Sequence, residues 1–191
     1  MRKVVVISGP GLALGEAARW VAERAGVPCF GLGDLMRKYV QGPMGEPVRR
    51  LVNEHQRVPD ELMAGIVAER LVAEEGGWVL YGFACIVVQA ELLARHGCEP
   101  NSVVEVVLSE HEASERLKRT CTQCRTSWHV YYRLPRVAGV CDLCGGGLDL
   151  PDEVIAERIG QYKQHAESLR TYFRERGVSF ETISDPYIIE T

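Results

Sequence analysis

Lys3-Val4-Val5-Val6-Ile7-Ser8-Gly9-Pro10-Gly11-Leu12-Ala13-Leu14-Gly15-Glu16 is the stretch whose reading decides the fold. Its opening is a β-branched run with no polar alternation after Lys3, the pattern of a strand buried on both faces in a parallel sheet. Ser8 to Gly11 forms a turn, and Leu14 to Ala25 reads as a helix. The same alternation continues outward. Val27 to Phe30 is a short strand, and Asp34 to Val40 is a helix with Gly33-Asp34 as its start signal. Pro47 to His55 and Asp60 to Ala73 are helices, the second fronted by Pro59. Trp78 to Tyr81 is a strand, Val88 to His96 a helix, Val103 to Leu108 a strand, and Glu110 to Arg119 a helix. After a cysteine-rich stretch, Asp152 to Gly177 is a long helix or helix pair, and Ser179 to Ile183 the last strand. The expectation is a three-layer α/β fold, a parallel sheet with helices on both faces.

The chain has 191 residues, 46% hydrophobic and 25% charged, a profile that excludes disordered, collagenous and disulfide-stapled classes. With 22 Lys+Arg against 26 Asp+Glu there is no overall basic field, which argues against a nucleic-acid partner. No apolar run approaches the roughly 20 residues that span a bilayer, so no membrane partner is expected. The apolar stretch after Met1-Arg2-Lys3 is too short for a signal peptide, and the expected location is the cytoplasm.

Cys121-x-x-Cys124 and Cys141-x-x-Cys144, with 16 residues between the pairs, carry the spacing of a zinc ribbon. Gly139 before the second pair and Gly145-Gly146-Gly147 after it suit the knuckle turns. Four thiolates close the coordination sphere, so the zinc is expected to be structural. The alternatives are four reduced, buried cysteines or a thioredoxin-like redox site. Cys29, Cys85 and Cys98 are scattered.

Four segments then resemble one family in the same order. They are Gly33-Asp34-Leu35-Met36-Arg37, Val58-Pro59-Asp60-Glu61-Leu62, Tyr81-Gly82-Phe83 followed by Gln89, and the double-cysteine stretch with Trp128-His129 between its pairs. Together they are similar to the adenylate kinases, specifically the long form with a zinc-bearing lid, over essentially the whole chain. The resemblance implies a core of residues 1–29, 60–119 and 151–191, a monophosphate-binding subdomain of 30–59, and a zinc lid of 120–150. It also implies Mg-dependent phosphoryl exchange between ATP and AMP. Arg37 and Gly33 would then serve the monophosphate, and Gln89 the adenine edge.

The residues depart from the family where the chemistry is hardest. The family's phosphate loop is Gly-x-Pro-Gly-x-Gly-Lys-Gly-Thr, whose backbone N–H groups, Lys and hydroxyl hold phosphates and Mg²⁺. Here Ser8 replaces the first Gly, Ala13 the third, Leu14 the Lys and Glu16 the Thr, while Gly11 and Gly15 remain. Leu14 carries no charge, and Glu16 sets a carboxylate at the helix end that would otherwise favour phosphate. A rearranged loop bringing Lys3 or Arg19 to the phosphates is the alternative. The family's Asp-Gly-Phe-Pro-Arg is Tyr81-Gly82-Phe83-Ala84-Cys85, without its carboxylate, proline or guanidinium. Arg116 and Arg119 fall near the family's lid arginines but three apart rather than four, and Arg158 keeps its counterpart. Arg158 and Arg119 are the expected remnants of the catalytic cations.

The preferred reading is a zinc-containing, adenylate-kinase-like pseudokinase, catalytically impaired, that binds a nucleotide such as AMP and acts by binding or through a protein partner. The alternative is an active nucleoside monophosphate kinase with an atypical phosphate site, for which Mg²⁺ would be a cofactor. A zinc-ribbon module that contacts nucleic acid is a third class, opposed by the acidic balance.

Overall fold

The β-branched run forms the strand its composition favours. A computed structural model describes residues 2–184 apart from 55, 110, 114–120, 125, 127, 129–134, 138 and 149–151. Strand β1 (Arg2–Ser8) buries Val4 to Ile7 and pairs in parallel with β3 (Gly77–Tyr81), setting Val4 opposite Val79 and Val6 opposite Tyr81. β2 (Cys29–Gly31) pairs in parallel with the other edge of β3. With β4 (Ser102–Val107) and β5 (Ser179–Ser184), the sheet runs β2-β3-β1-β4-β5. The order extends outward from β1 in both directions, the arrangement that opens a crevice at the strands' carboxyl ends.

Helices make the crossovers that parallel strands require. They are α1 (Leu14–Ala25), α2 (Leu32–Gln41), α3 (Glu46–Asn53), α4 (Asp60–Val72), α5 (Val87–Arg95) and α6 (Asp152–Glu175). A 3-10 turn, Pro43–Gly45, precedes α3. The main core joins Val5, Val67, Trp78, Leu80, Phe83, Leu93 and Phe173, all excluded from water. No described helix is long and apolar enough to cross a membrane.

The chain divides into two compact units. One comprises Met1–Ile7, Leu14–Val106 and His165–Thr191 and contains most of the sheet. The other comprises Ser8–Ala13 and Val107–Gln164, so it takes the loop after β1, the cysteine-rich stretch and the first half of α6.

Two element starts differ from the sequence expectation for a local reason, and one open alternative is resolved. β2 starts at Cys29 rather than Val27, because the Val27 N–H closes the end of α1 on the Ala22 carbonyl at 3.2 Å. α2 starts at Leu32, with Gly31 in extended conformation as its cap, so Gly33-Asp34 lies inside the first turn. The long segment from Asp152 is a single helix of 24 residues. Of the helix expected at 110–119, His111 to Ala113 are helical and most of the rest lies outside the described residues. Its start carries a capping box. The Ser109 hydroxyl accepts from the Glu112 N–H at 3.2 Å, and the Glu112 carboxylate accepts from the Ser109 N–H at 3.0 Å.

Glu105 is the one charged side chain buried in the sheet among the described residues, 2% exposed. Its carboxylate accepts from Arg170 of α6 at 2.8 Å and from the Thr182 hydroxyl of β5 at 3.1 Å. The Arg170 guanidinium also lies over the Phe180 ring, 5.4 Å from its centroid. One carboxylate therefore ties the last helix and the mostly exposed last strand to β4. Glu105→Ala should destabilise the protein by about 2–4 kcal/mol, because it strands a half-buried guanidinium as well as a hydroxyl. Urea unfolding of this variant checks it, with Glu167→Ala, which removes only the exposed partner of Arg170, as the comparison.

Candidate functional site

Within the second unit, the turn after β1 packs on the long helix. A side chain on Gly9 would meet the Tyr162 ring of α6 at 3.2 Å, and Gly11 adopts φ 89°, open mainly to glycine. α1 begins at Leu14 and carries Glu16 in its first turn, where a carboxylate is favoured by the exposed helix N–H groups. Lys3 lies five residues before Ser8 on an extended strand, roughly 16 Å away at ~3.3 Å per residue. It borders instead a cavity of about 430 Å³ with Glu74, Glu75, Trp78 and Cys98. Arg19 directs its charge toward Cys29 and Tyr81.

In the first unit, Tyr81 ends β3 with its ring laid on two glycines. A Cβ on Gly31 would fall 2.4 Å from Tyr81 Cζ, and one on Gly15 would fall 3.2 Å from the phenol oxygen. No side chain fits at Gly31 while the ring stays. The phenol donates to Asp34 Oδ2 at 3.5 Å, and Arg37 Nη2 donates to Asp34 Oδ1 at 2.6 Å. The Arg37 guanidinium beside Asp34 holds that carboxyl below its usual range, while burial and then the Asp34 charge push the phenol up. Gly33 lies under the guanidinium, where a Cβ would sit 3.4 Å from Nη1. Gly33 and Arg37 are thus brought together, and Arg37, with its side chain 70% exposed, is accessible to an anion.

After Tyr81 the chain turns sharply. Gly82 has φ 77° and Ala84 has φ 61°, a left-handed conformation uncommon for a residue with a Cβ. Phe83 is driven wholly into the core, and burial pushes the Cys85 thiol up to about 11. Cys85 is therefore protonated and inert at neutral pH. Its N–H donates to Gln89 Oε1 at 3.1 Å, and Gln89 Nε2 donates to Asp60 Oδ1 at 2.9 Å. Arg57 braces the same carboxylate at 3.1 Å. Neither Asp60 nor Asp34 stands out by residue type, and Gln89 and Tyr81, which they meet, lie 29 and 47 residues away. Arg158 is half-buried on α6, while Arg116, Arg119 and His129 fall outside the described residues.

The cysteine pairs converge. The four sulfurs of Cys121, Cys124, Cys141 and Cys144 all lie within 4.8 Å of one another. Cys121 Sγ is 3.4 Å from Cys144 Sγ, and Cys124 Sγ is 3.6 Å from Cys141 Sγ. A zinc with Zn–S bonds of ~2.3 Å sets its tetrahedral sulfurs about 3.8 Å apart, so the donor set fits zinc. The turns are shaped for it. Gly139 and Gly145 have φ of 78° and 73°, and a Cβ on Gly146 would press on Cys121 Sγ at 3.0 Å. The Trp128 indole N–H donates to Cys141 Sγ at 3.4 Å, an outer contact the sequence did not single out. Hydrogen bonds with Thr126 hold the Cys124 thiol down. Among the described residues, Cys121, Trp128, Cys141 and Leu148 form the buried cluster around this site.

A family model described as adenylate kinase matches residues 6–178. Among curated proteins, the chain is 34% identical to the adenylate kinase of Pelobacter propionicus, over 92% of this chain and 86% of that protein. It is 34% identical to the adenylate kinase of Archaeoglobus fulgidus, with 93% and 88% covered. It is 35% identical to the adenylate kinase of Acidothermus cellulolyticus, with 92% and 88% covered.

Two outcomes follow from this geometry. Elemental analysis of freshly purified protein should find one zinc per chain, and Cys141→Ser should lose it together with the order of the surrounding turns. The left-handed backbone at Ala84 makes a second, sharper demand. Proline fixes φ near −65°, so Ala84→Pro should destabilise by at least about 2 kcal/mol in denaturant unfolding. Unchanged stability would mean that this turn reshapes freely.

Proposed function

This chain belongs to the adenylate kinase family, and from that premise we propose that it is a pseudokinase of the zinc-bearing type. In this reading it binds a nucleoside monophosphate such as AMP in the cytoplasm and transfers phosphoryl groups at most very slowly. The observation that carries the reading is the composition of the phosphate loop. Phosphoryl transfer rests on positioning and on charge around the moving group. Leu14 supplies no charge there, Glu16 adds a negative one, and Cys85 is a half-buried neutral thiol in place of a guanidinium. Tyr81 occupies the place of the metal-shell carboxylate and is packed against Gly15 and Gly31. Losing a single such contact costs on the order of 10²–10³ in rate, and several are altered together.

The monophosphate side keeps more. Arg37 is accessible, and its contact with Asp34 is an exposed one that a phosphate dianion can replace. Gln89 is half-buried in the segment that resembles the family's base-reading turn. With no turnover, the biological output would be the bound state itself, read by a protein partner.

The second reading is an active nucleoside monophosphate kinase that uses Mg²⁺ and another cation at the phosphate site, with Lys3, Arg19, Arg116 and Arg119 the candidates. It is favoured by the near-full-length likeness to proteins named adenylate kinase. A coupled assay with a contaminant control, run beside nucleotide calorimetry, separates the two. The pseudokinase reading expects no turnover, AMP bound in preference to ATP, and little help from Mg²⁺. It also expects Arg37→Ala to weaken AMP by roughly 1.5–3 kcal/mol, the range for a charged hydrogen bond. Robust turnover that disappears on mutating Arg37 or Arg158 would sink it.

A further inference from the structure

The bonds around Gln89 fix more than its position. A primary amide has an oxygen that accepts and a nitrogen that donates, and a rotation of 180° exchanges them. Two groups flank this amide, and neither can change its role. The Cys85 N–H, 3.1 Å from Oε1, can only donate. The Asp60 carboxylate, 2.9 Å from Nε2, can only accept when ionised. Turning the amide over would set donor against donor at Cys85 and acceptor against acceptor at Asp60. The carboxylate is itself anchored, with Arg57 at 3.1 Å and its own side chain only 18% exposed. The Asp60 side chain belongs to the first turn of α4 and the amide to the first turn of α5, so two helix starts hold the arrangement.

We infer that Asp60 is a positioning residue that selects the purine by locking the orientation of the Gln89 amide. The inference rests on the proposal that a purine monophosphate binds here with Gln89 at its base. Adenine offers an acceptor at N1 and a donor at its 6-amino group. Hypoxanthine offers the reverse, a donor at N1 and an acceptor at O6. An amide free to rotate serves both bases by turning over. A locked amide serves one, and the other meets two mismatched contacts. Each amide atom keeps one further hydrogen-bonding site after the bonds to Cys85 and Asp60 are counted, so the lock leaves an edge for the base.

AMP and IMP are the probes, since they differ only in this pattern. Calorimetry on the full-length, zinc-loaded protein should find AMP bound at least about tenfold more tightly than IMP, one mismatched polar contact being enough for that. Asp60→Asn keeps the shape of the side chain but presents either oxygen or NH₂, and Asp60→Ala removes the partner altogether. In both, the AMP-to-IMP ratio should fall several-fold toward one, chiefly through tighter IMP binding. Loss of fold or of helix start would weaken both nucleotides together and leave the ratio unchanged, which overturns the inference. Equal affinities in the unaltered protein overturn it as well. If neither nucleotide binds, the failure lies with the monophosphate reading itself and takes the inference with it.

Discussion

Tyr81 lies so close to Gly31 that no side chain could stand between them, and much of the first unit is arranged around that contact. The ring ends β3, and the glycine caps α2 without any side-chain hydrogen bond. The cap fixes where α2 begins, and with it the places of Gly33, Asp34 and Arg37. The phenol then reaches Asp34, which in turn holds Arg37. A large aromatic group at the carboxyl end of β3 is thus accommodated by glycine on two neighbouring elements. The same ring stands at the carboxyl end of β3, the side on which a parallel sheet presents its ligand site. Packing and chemistry are settled there by one side chain.

The second unit rests on a different principle. Among the described residues its apolar clusters are small, one of Cys121, Cys141, Trp128 and Leu148 and one around Ile155. Four sulfurs at zinc spacing add to them, and backbone hydrogen bonds within and between the two knuckles complete the arrangement. Cys141 N–H meets the Gly146 carbonyl at 2.8 Å, and Thr122 N–H meets that of Gly147 at 3.0 Å. Metal and backbone therefore share the work that a core performs elsewhere.

The sheet, the helices and the four zinc ligands were legible because each leaves a local trace: a β-branched run, a capping residue, a fixed cysteine spacing. The site was less legible because its decisive contacts are distant in sequence. Gln89 and Asp60 are 29 residues apart, and Tyr81 and Asp34 are 47 apart. No periodicity signals that an aspartate at a helix start will orient an amide on another helix. The left-handed Ala84 was equally hidden, since alanine gives no hint of positive φ, whereas Gly82 beside it does. The misplaced start of β2 is of a smaller kind. Val27 has the right residue type for a strand, but the preceding helix needed its N–H.

The slenderness of the zinc lobe reaches beyond its architecture. A segment whose order depends on an ion is only as durable as the supply of that ion. When the metal is scarce, newly made chains would lack the tie between the Cys121–Cys124 and Cys141–Cys144 turns and leave them open, while the sheet and its helices still close. Open polypeptide on a folded body is what cellular proteases recognise first. The abundance of this protein would then follow the zinc status of the cell, with no transcription factor needed to report it.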